Sequence, residues 1–459
     1  MADAIDIGTR RELFVDDLLI EKLKGARLEL KKPERREVAF TADAPWEDNV
    51  AGFENVVTDG GAVRLYYRAA IPDLRNEDIT VMALAESRDG GLSFARPEFG
   101  LVEFKGSRKN NILRIGGQPQ VPPAFIDTNP KCLPGQRYKG LSQSWCKLYV
   151  MCSADGLRWQ PMHEGPVEMT GAFDTVNTAF WDSLAGCYRC FTRSWADSAL
   201  DYAPTMNVRG GCIRTIQGST SPDFIHWTPP VQNEYADGDK TIHLYTNAIV
   251  PCPGAEHIYV GFPNRFVPER AADPKHQYPG VNDALFMSSR DCVHWTRYLD
   301  AWVRPDLDPL NWTERNNYPA WGIVETSQTE WSIYISEHYR HSTEPTRLRR
   351  LSIRPHGFVS VHADCAGGEM VTRPLMFSRR ELRLNYSTSA AGSVRVEIRD
   401  VGGKPVKGFA LRDMTPMFGD ELDRALAWKG GSDLSALAGK PVRLRFVLKD
   451  ADVFALRAV

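Results

Sequence analysis

Residues 288–296 read SSRDCVHWT, and close variants precede them: ESRDGGLSF at 86–94, CSADGLRW at 152–159 and TSPDFIHW at 220–227. Aligned on Ser87, Ser153, Ser221 and Ser289, the copies lie 66, 68 and 68 residues apart. Regular self-similarity marks a repeat architecture, and this interval is too long for a helical solenoid unit. Each interval holds about four short strand-like runs; in the third they are NTAFW, CYRCFTR, CIRTIQGS and a run after Trp227, parted by turn formers such as DSLAG. Four strands per unit is the pattern of a propeller blade. The motif then has a structural task. Asp89, Asp155, Asp223 and Asp291 accept hydrogen bonds from the amides of the turn that follows them, and Phe94, Trp159, Trp227 and Trp295 wedge between neighbouring sheets.

A fifth unit lacks the motif but repeats the strands, in YPAWGIV, EWSIYISEHY, RLRRLSIRP and HGFVSVHA. Residues 45–363 are therefore expected to form a five-bladed β-propeller. Residues 1–44 (LFVDDLLI, ARLELKK) read as a lead-in strand pair. From 364 to 459 the texture changes to long alternating runs (ELRLNYST, SVRVEIRD, PVRLRFVLKD) broken by GGKP, GGSD and AGKP, the pattern of a β-sandwich. With 30 Pro and 36 Gly, few windows can hold a helix, so the chain is read as all-β.

The 459 residues carry 56 basic and 58 acidic side chains, a net charge of −2. That balance offers no electrostatic case for nucleic acid or an anionic membrane. No 18-residue apolar run occurs, and MADAIDIGTRRELFVDD has no secretory core. A soluble protein is expected, cytoplasmic as written, or periplasmic or secreted if a leader has been removed. Nine scattered cysteines do not form a disulfide framework. Cys187 and Cys190 lie three apart in a strand and so point to opposite faces. No metal-ligand spacing and no Gly-rich phosphate loop is present, so no metal and no cofactor is expected.

In a propeller the inner strands open toward one shared mouth, and the aspartate turns lie at the opposite rim. Residues where first strands start and second strands end are therefore the candidates for chemistry. First-strand starts offer Glu47 and Asp48 (PWEDN), Asp127 (FIDTNP), Asp174 and Asn177 (GAFDTVN), His243 and Asn247 (HLYTN), and Arg315 and Asn316 (RNNYPAW). Second-strand ends offer Arg68, Arg193 with Trp195, Asn264 with Arg265, and Glu337 with His338. Carboxylates, arginines and aromatics at one rim are the inventory of a carbohydrate site, with an oligosaccharide or glycoside as the expected partner. Glycoside hydrolysis needs two carboxyl groups, one as acid and one as base or nucleophile.

Five blades followed by a sandwich, with acids where the inner strands start, resembles the clan of five-bladed propeller glycoside hydrolases that includes families 32 and 43. The resemblance spans the chain from about residue 45 and implies hydrolysis of O-glycosyl bonds, as in polysaccharide degradation. Where family 32 carries an Asn-Asp-Pro nucleophile motif, this chain has PWEDN. Its Arg-Asp-Pro stabiliser corresponds to FIDTNP, which puts Asp127 in that role; its Glu-Cys acid/base motif has no counterpart. The catalytic candidates are thus Asp127 and Asp174, with Glu47 and Glu337 competing for the general acid. Arg68, Asn177, Arg193, Asn247, Arg265, Asn316 and His338 are candidates to hold the sugar, and Trp195 or Trp321 to stack on it. An arginine-rich mouth points to an anionic sugar. Two alternatives stay open: a sugar-binding propeller without catalysis, and a polysaccharide lyase using a Tyr or His base.

Overall fold

Continuous apolar runs make strands that are covered on both faces, and the strand Thr80–Ser87 (TVMALAES) is of this kind, buried without a break from Val81 to Ala85. A computed structural model describes residues 4–70, 80–117, 119–142, 147–196, 212–276, 278–341 and 343–459. It divides into two compact units, one of residues 33–251 and 257–353, the other of residues 1–32, 252–256 and 354–459.

The larger unit is a propeller-like arrangement of mainly antiparallel sheets. Three four-stranded sheets follow one another up and down: Gly52–Asp59 to Ile112–Ile115, Ala124–Ile126 to Gln160–Pro161, and Thr178–Asp182 to Val231–Gln232. A fourth joins Val324–Glu325, Trp331–Glu337 and Arg347–Ile353 to a strand from the other end of the unit, Glu34–Thr41. The segment HGFVSVHA, expected to supply that outer strand, instead contributes Val359–Ala363 to the other unit. The slot is filled by ERREVAFT, whose Arg35 reaches Glu337 and whose Ala39 carbonyl accepts from the Phe94 amide at 2.9 Å. The expected fourth repeat lies within a seven-stranded sheet, ordered 234–235, 294–303, 281–289, 255–261 and 250–252, with His243–Leu244 and Asn264–Val267 alongside. Four sheets thus have the expected four strands, where five were anticipated. In that segment His243–Leu244 and Asn264–Val267 add antiparallel pairing, and Glu234–Tyr235 adds a parallel pairing with His294–Trp295.

The serine–aspartate motifs do what their spacing predicts. Asp155 Oδ1 accepts from the amides of Leu157 and Arg158 at 2.8 and 2.9 Å, while Ser153 Oγ accepts from Gly156 at 2.9 Å. The same pattern recurs at Asp89, Asp223 and Asp291. The aromatics reach across to the preceding sheet: Trp159 lies edge-on to Tyr66, Trp295 to Phe191, and Phe94 to Tyr334, with centroids 5.6–6.2 Å apart. In the third motif this task passes from Trp227 to Phe224, which packs against Phe125 at 5.6 Å.

In the smaller unit, an eight-stranded antiparallel sheet forms around two long strands, Leu382–Arg399 and Arg443–Ala458. Residues 1–44 do not form a separate lead-in. Strands Arg11–Leu13, Ile20–Lys24 and Arg27–Leu30 join this sheet, and Glu34–Thr41 joins the larger unit. Register breaks between Thr388 and Ser393, where a Cβ on Gly392 would come 2.3 Å from the Asp450 carbonyl oxygen. The core beneath includes Phe14, Leu384, Val396, Phe446 and Leu456, all essentially inaccessible.

Two outcomes follow for the turns. Asp155→Ala removes the acceptor of two amides and lowers stability by about 1 kcal/mol in urea denaturation. Burial would raise the Asp223 and Asp291 carboxyls, but hydrogen bonds from the following turn residues and the motif serines outweigh it and hold both at about 2. A depressed folded-state value contributes stability above the ordinary value of 3.8 that is lost as pH falls toward 2. Asp223→Asn therefore flattens the acid limb of the stability curve over that window.

Candidate functional site

Strand register separates two rims in the larger unit. Ile126 pairs with Tyr138 and Tyr138 with Ser153, so Asp127, next after Ile126, lies at the rim of the serine–aspartate turns. This corrects the expectation that placed it at the mouth. Asp127 follows the three-residue strand Ala124–Ile126 rather than preceding it, and a strand's two ends point to opposite rims.

Asp127 belongs to a repeated latch. Its Oδ2 accepts from Lys139 Nζ at 2.6 Å and from Tyr188 OH of the next sheet at 2.7 Å, and its Oδ1 accepts from the Asn129 amide. Asp182 is held in the same way by Arg189 at 2.6 Å and by Tyr259 at 2.5 Å. Asp59 is held by Arg137 and Tyr138. In each case a carboxylate ends a first strand and a tyrosine arrives from the following sheet's second strand. The Arg137 hydrogen bond, opposed by burial and helped by Tyr138 and Arg64, brings Asp59 down to about 2.

Two further nominated carboxylates are enclosed by their own partners. Glu47 accepts from Tyr67, from Arg96 at 2.7 and 3.0 Å and from the Ala44 amide. Glu337, 1% exposed, is gripped by Arg35, Arg347 and Arg349 and ties Glu34–Thr41 to its sheet. Asn247 bridges Thr178, Ile249 and Phe191, and Asn316 bridges Leu310, Thr313 and Tyr339. Trp321 is buried with its indole N–H donated to Ile249 O. His338 meets Asp308 at 2.7 Å, and Arg68 lies 3.7 Å from Glu54. Arg265 turns away into a separate cavity of about 600 Å³, where it pairs with Asp283 beside Arg270, Arg304 and Trp312. Alternation along Asn264–Val267 puts its neighbour Phe266 on the other face.

Asn177 is buried and donates to the Phe173 carbonyl at 3.1 Å, while Asp174, Arg193 and Trp195 gather with Arg214, His243, Tyr245, Arg315 and Tyr318. Asp174 precedes the strand Thr178–Asp182, and its carboxylate, 36% exposed, pairs with Arg193. Arg193 and Arg214 stand on adjacent strands, since Trp195 pairs with Arg214 in register. Both guanidinium carbons lie over Trp195, at 5.5 and 5.1 Å, and over Tyr245, at 5.3 and 4.8 Å. Arg315 comes from RNNYPAW and donates to Tyr339 OH at 2.8 Å and to Tyr245 OH at 3.2 Å. Tyr318 packs edge-on to Tyr245 at 5.5 Å, and His243 Nδ1 lies 3.5 Å from Arg214. The side chains of Tyr245, Tyr318, Trp195 and Arg315 are half-buried; Arg193 and Arg214 are only 5% and 6% exposed.

The charge balance of this cluster is uneven. Arg193 has Asp174, and Arg315 has Glu314 at 3.2 Å, which also takes Arg340. Arg214 has no ion-pair partner among the described residues. The Nε atoms of all three arginines, Trp195 Nε1, Tyr318 OH and Asn177 Oδ1 are buried without hydrogen bonds among the described residues. Burying an unpaired charge costs several kcal/mol, and no carboxylate among the described residues pairs with Arg214 to offset that cost. Burial, reinforced by Arg193, pulls the Arg214 guanidinium below its ordinary range. For Tyr245 burial acts upward, but Arg315, Arg193 and Arg214 outweigh it and lower the phenol below the usual tyrosine value.

Tyr245 and Arg315 stood in the quoted stretches HLYTN and RNNYPAW; Arg214 did not stand out, because it begins a third strand. The signal for it was antiparallel pairing, which puts the start of a third strand beside the end of the second. Elsewhere, Glu29, His362 and Asp452 come within ligand distance of one another, but Lys31 Nζ already lies 2.7 Å from both carboxylates. No helix of the described residues is long and apolar enough to cross a membrane.

No family model matches the chain, and no curated protein matches it. Solved structures with similar strand arrangements include a glycosyl hydrolase from Bacteroides ovatus, 15% identical, covering 75% of this chain and 93% of that one at a TM-score of 0.40. The catalytic domain of a Coprinopsis cinerea GH62 alpha-L-arabinofuranosidase is 11% identical, covering 70% and 97% at 0.43. An alpha-L-arabinofuranosidase from Fusarium graminearum, in complex with an iminosugar inhibitor, is 10% identical, covering 71% and 98% at 0.41. Likeness of this degree carries no argument about this chain's chemistry, which rests on its own residues.

The latch and the cluster respond differently to substitution. Asp127→Ala leaves Lys139 buried and unpaired and lowers stability by about 3–5 kcal/mol, with activity per folded molecule unchanged. Denaturation curves alongside active-fraction assays check both halves of that statement.

Proposed function

We propose that the protein is a carbohydrate-active enzyme that cleaves a glycosidic bond in a carboxylate-bearing sugar chain at the Arg193–Arg214–Arg315 cluster. The observation that carries this reading is the pair of buried arginines behind a half-exposed aromatic mouth, one of them without a carboxylate among the described residues. Guanidinium groups bind carboxylates through paired N–H donors, and the free Nε atoms supply such donors. Trp195, Tyr245 and Tyr318 offer ring faces and edges for a sugar to lie against.

The same reading takes the core of the seven-stranded sheet as a further blade, giving five. It takes the eight-stranded sheet, bent at its register break, as the two layers of a β-sandwich. For the bond-breaking step, Asp174 is the carboxyl of this cluster most open to solvent, and hydrolysis would use it, paired with Arg193, as the base that activates water, with a second carboxyl as general acid. Elimination is the second reading, favoured by the environment of Tyr245.

Acidic and neutral oligosaccharides of matched length test the assignment. The wild type releases new reducing ends from acidic chains and none from neutral ones. If the cut is hydrolytic, Asp174→Asn lowers that rate by about 10²–10⁴-fold. Arg193→Gln raises KM for acidic chains. Equal turnover of neutral chains would overturn the anionic assignment, and full activity of Asp174→Asn would remove Asp174 from the reaction.

A further inference from the structure

We propose that Tyr245 is the base of an elimination reaction, removing the proton from the carbon next to the sugar's carboxylate. The inference rests on the acidic-carbohydrate reading above and adds the reaction class and the reacting atom. Three guanidinium carbons stand 4.8, 5.3 and 5.7 Å from the Tyr245 ring, those of Arg214, Arg193 and Arg315. Its hydroxyl oxygen accepts from Arg315 Nη2 at 3.2 Å. An oxygen held as an acceptor beside cations is stabilised as phenolate. The other groups facing it are Tyr318 and Phe266, packed edge-on, and Asp174 beyond Arg193. His243 and Tyr339 complete the surround, through Arg214 and Arg315. Among the described residues three guanidiniums meet two carboxylates here, Asp174 and Glu314, so the balance of charge around the ring is positive, in keeping with a phenol pulled below its ordinary value.

The same arginines serve a second purpose. A bound carboxylate loses charge to its guanidinium partners, and the proton on the adjacent carbon becomes more acidic. Tyr245 phenolate forms an O–H bond with that proton, and the C–H electron pair moves onto the carboxylate held by arginine. That pair then forms the carbon–carbon double bond as the bond to the glycosidic oxygen, one carbon further on, breaks. The leaving oxygen collects the proton from Tyr245, directly or through water. No water is consumed and no oxidant is needed. The products are one new reducing end and one unsaturated uronate end.

Oligogalacturonate and oligoalginate are the probes, assayed with the full chain for reducing ends, ultraviolet-absorbing unsaturated ends and calorimetric binding. The wild type gains both kinds of end together from at least one probe. Tyr245→Phe, which keeps the ring and its packing, binds that probe as before but loses turnover by about 10²–10⁴-fold. The wild-type rate rises with pH as Tyr245 ionises, and Arg315→Gln moves that rise to higher pH because the cation that donates to the Tyr245 oxygen is gone. Undiminished elimination by Tyr245→Phe overturns the inference. Reducing ends without unsaturated ends overturn it too, while leaving the acidic-carbohydrate reading in place. If neither probe is bound or cut, that underlying reading falls and the inference falls with it.

Discussion

A carboxylate at the end of one sheet's first strand, shared between a cation and a tyrosine from the next sheet, is the interaction on which the larger unit depends. It recurs at Asp59, Asp127 and Asp182. Stacked sheets present mainly apolar faces to each other, and apolar contact alone tolerates sliding. A buried acid with fixed hydrogen-bond partners does not, because displacing it leaves a charge without a partner. The serine–aspartate turns and their aromatics lie at the same rim. That rim is therefore pinned both by hydrogen bonds and by packing.

The opposite ends of the same strands carry a different kind of charge. Arg193 and Arg214 are as inaccessible as core residues, yet their donors are not all satisfied within the described chain. A fold can hold such groups only where other contacts supply enough stability, and the pinned rim together with the apolar sheet faces supplies them. On the proposed reading, such a site favours ligands whose charge complements the arginines over neutral sugars.

Much of the fold was legible because it rests on local chemistry. Ser-x-Asp and the aromatic that follows define a turn within eight residues, and their spacing set the length of the repeat. What escaped was non-local pairing. Nothing in ERREVAFT announces that it completes a sheet with Arg347–Ile353, more than 300 residues later, and nothing in HGFVSVHA announces that it leaves that sheet. The site followed the same pattern. Asp174, Arg193 and Trp195 were found because they sit where a first strand starts and a second ends. Asp127 was misplaced by assigning it to the wrong end of a three-residue strand, and Arg214 was passed over because its neighbours are on another strand. Glu47 and Glu337 show the limit of reading acids by position. Their partners Arg96 and Arg35 are remote in sequence, so their enclosure is visible only in three dimensions.

The claim that joins these findings is that one rim is built for structure and the other for an anion. Thermal unfolding with and without ligand tests it directly, since anything that binds only the folded state raises the midpoint. The account predicts a rise with oligouronate that grows with concentration and disappears in Arg214→Gln, and none with neutral oligosaccharide of the same length. An equal rise with both sugars, or a rise that survives loss of Arg214, would contradict it.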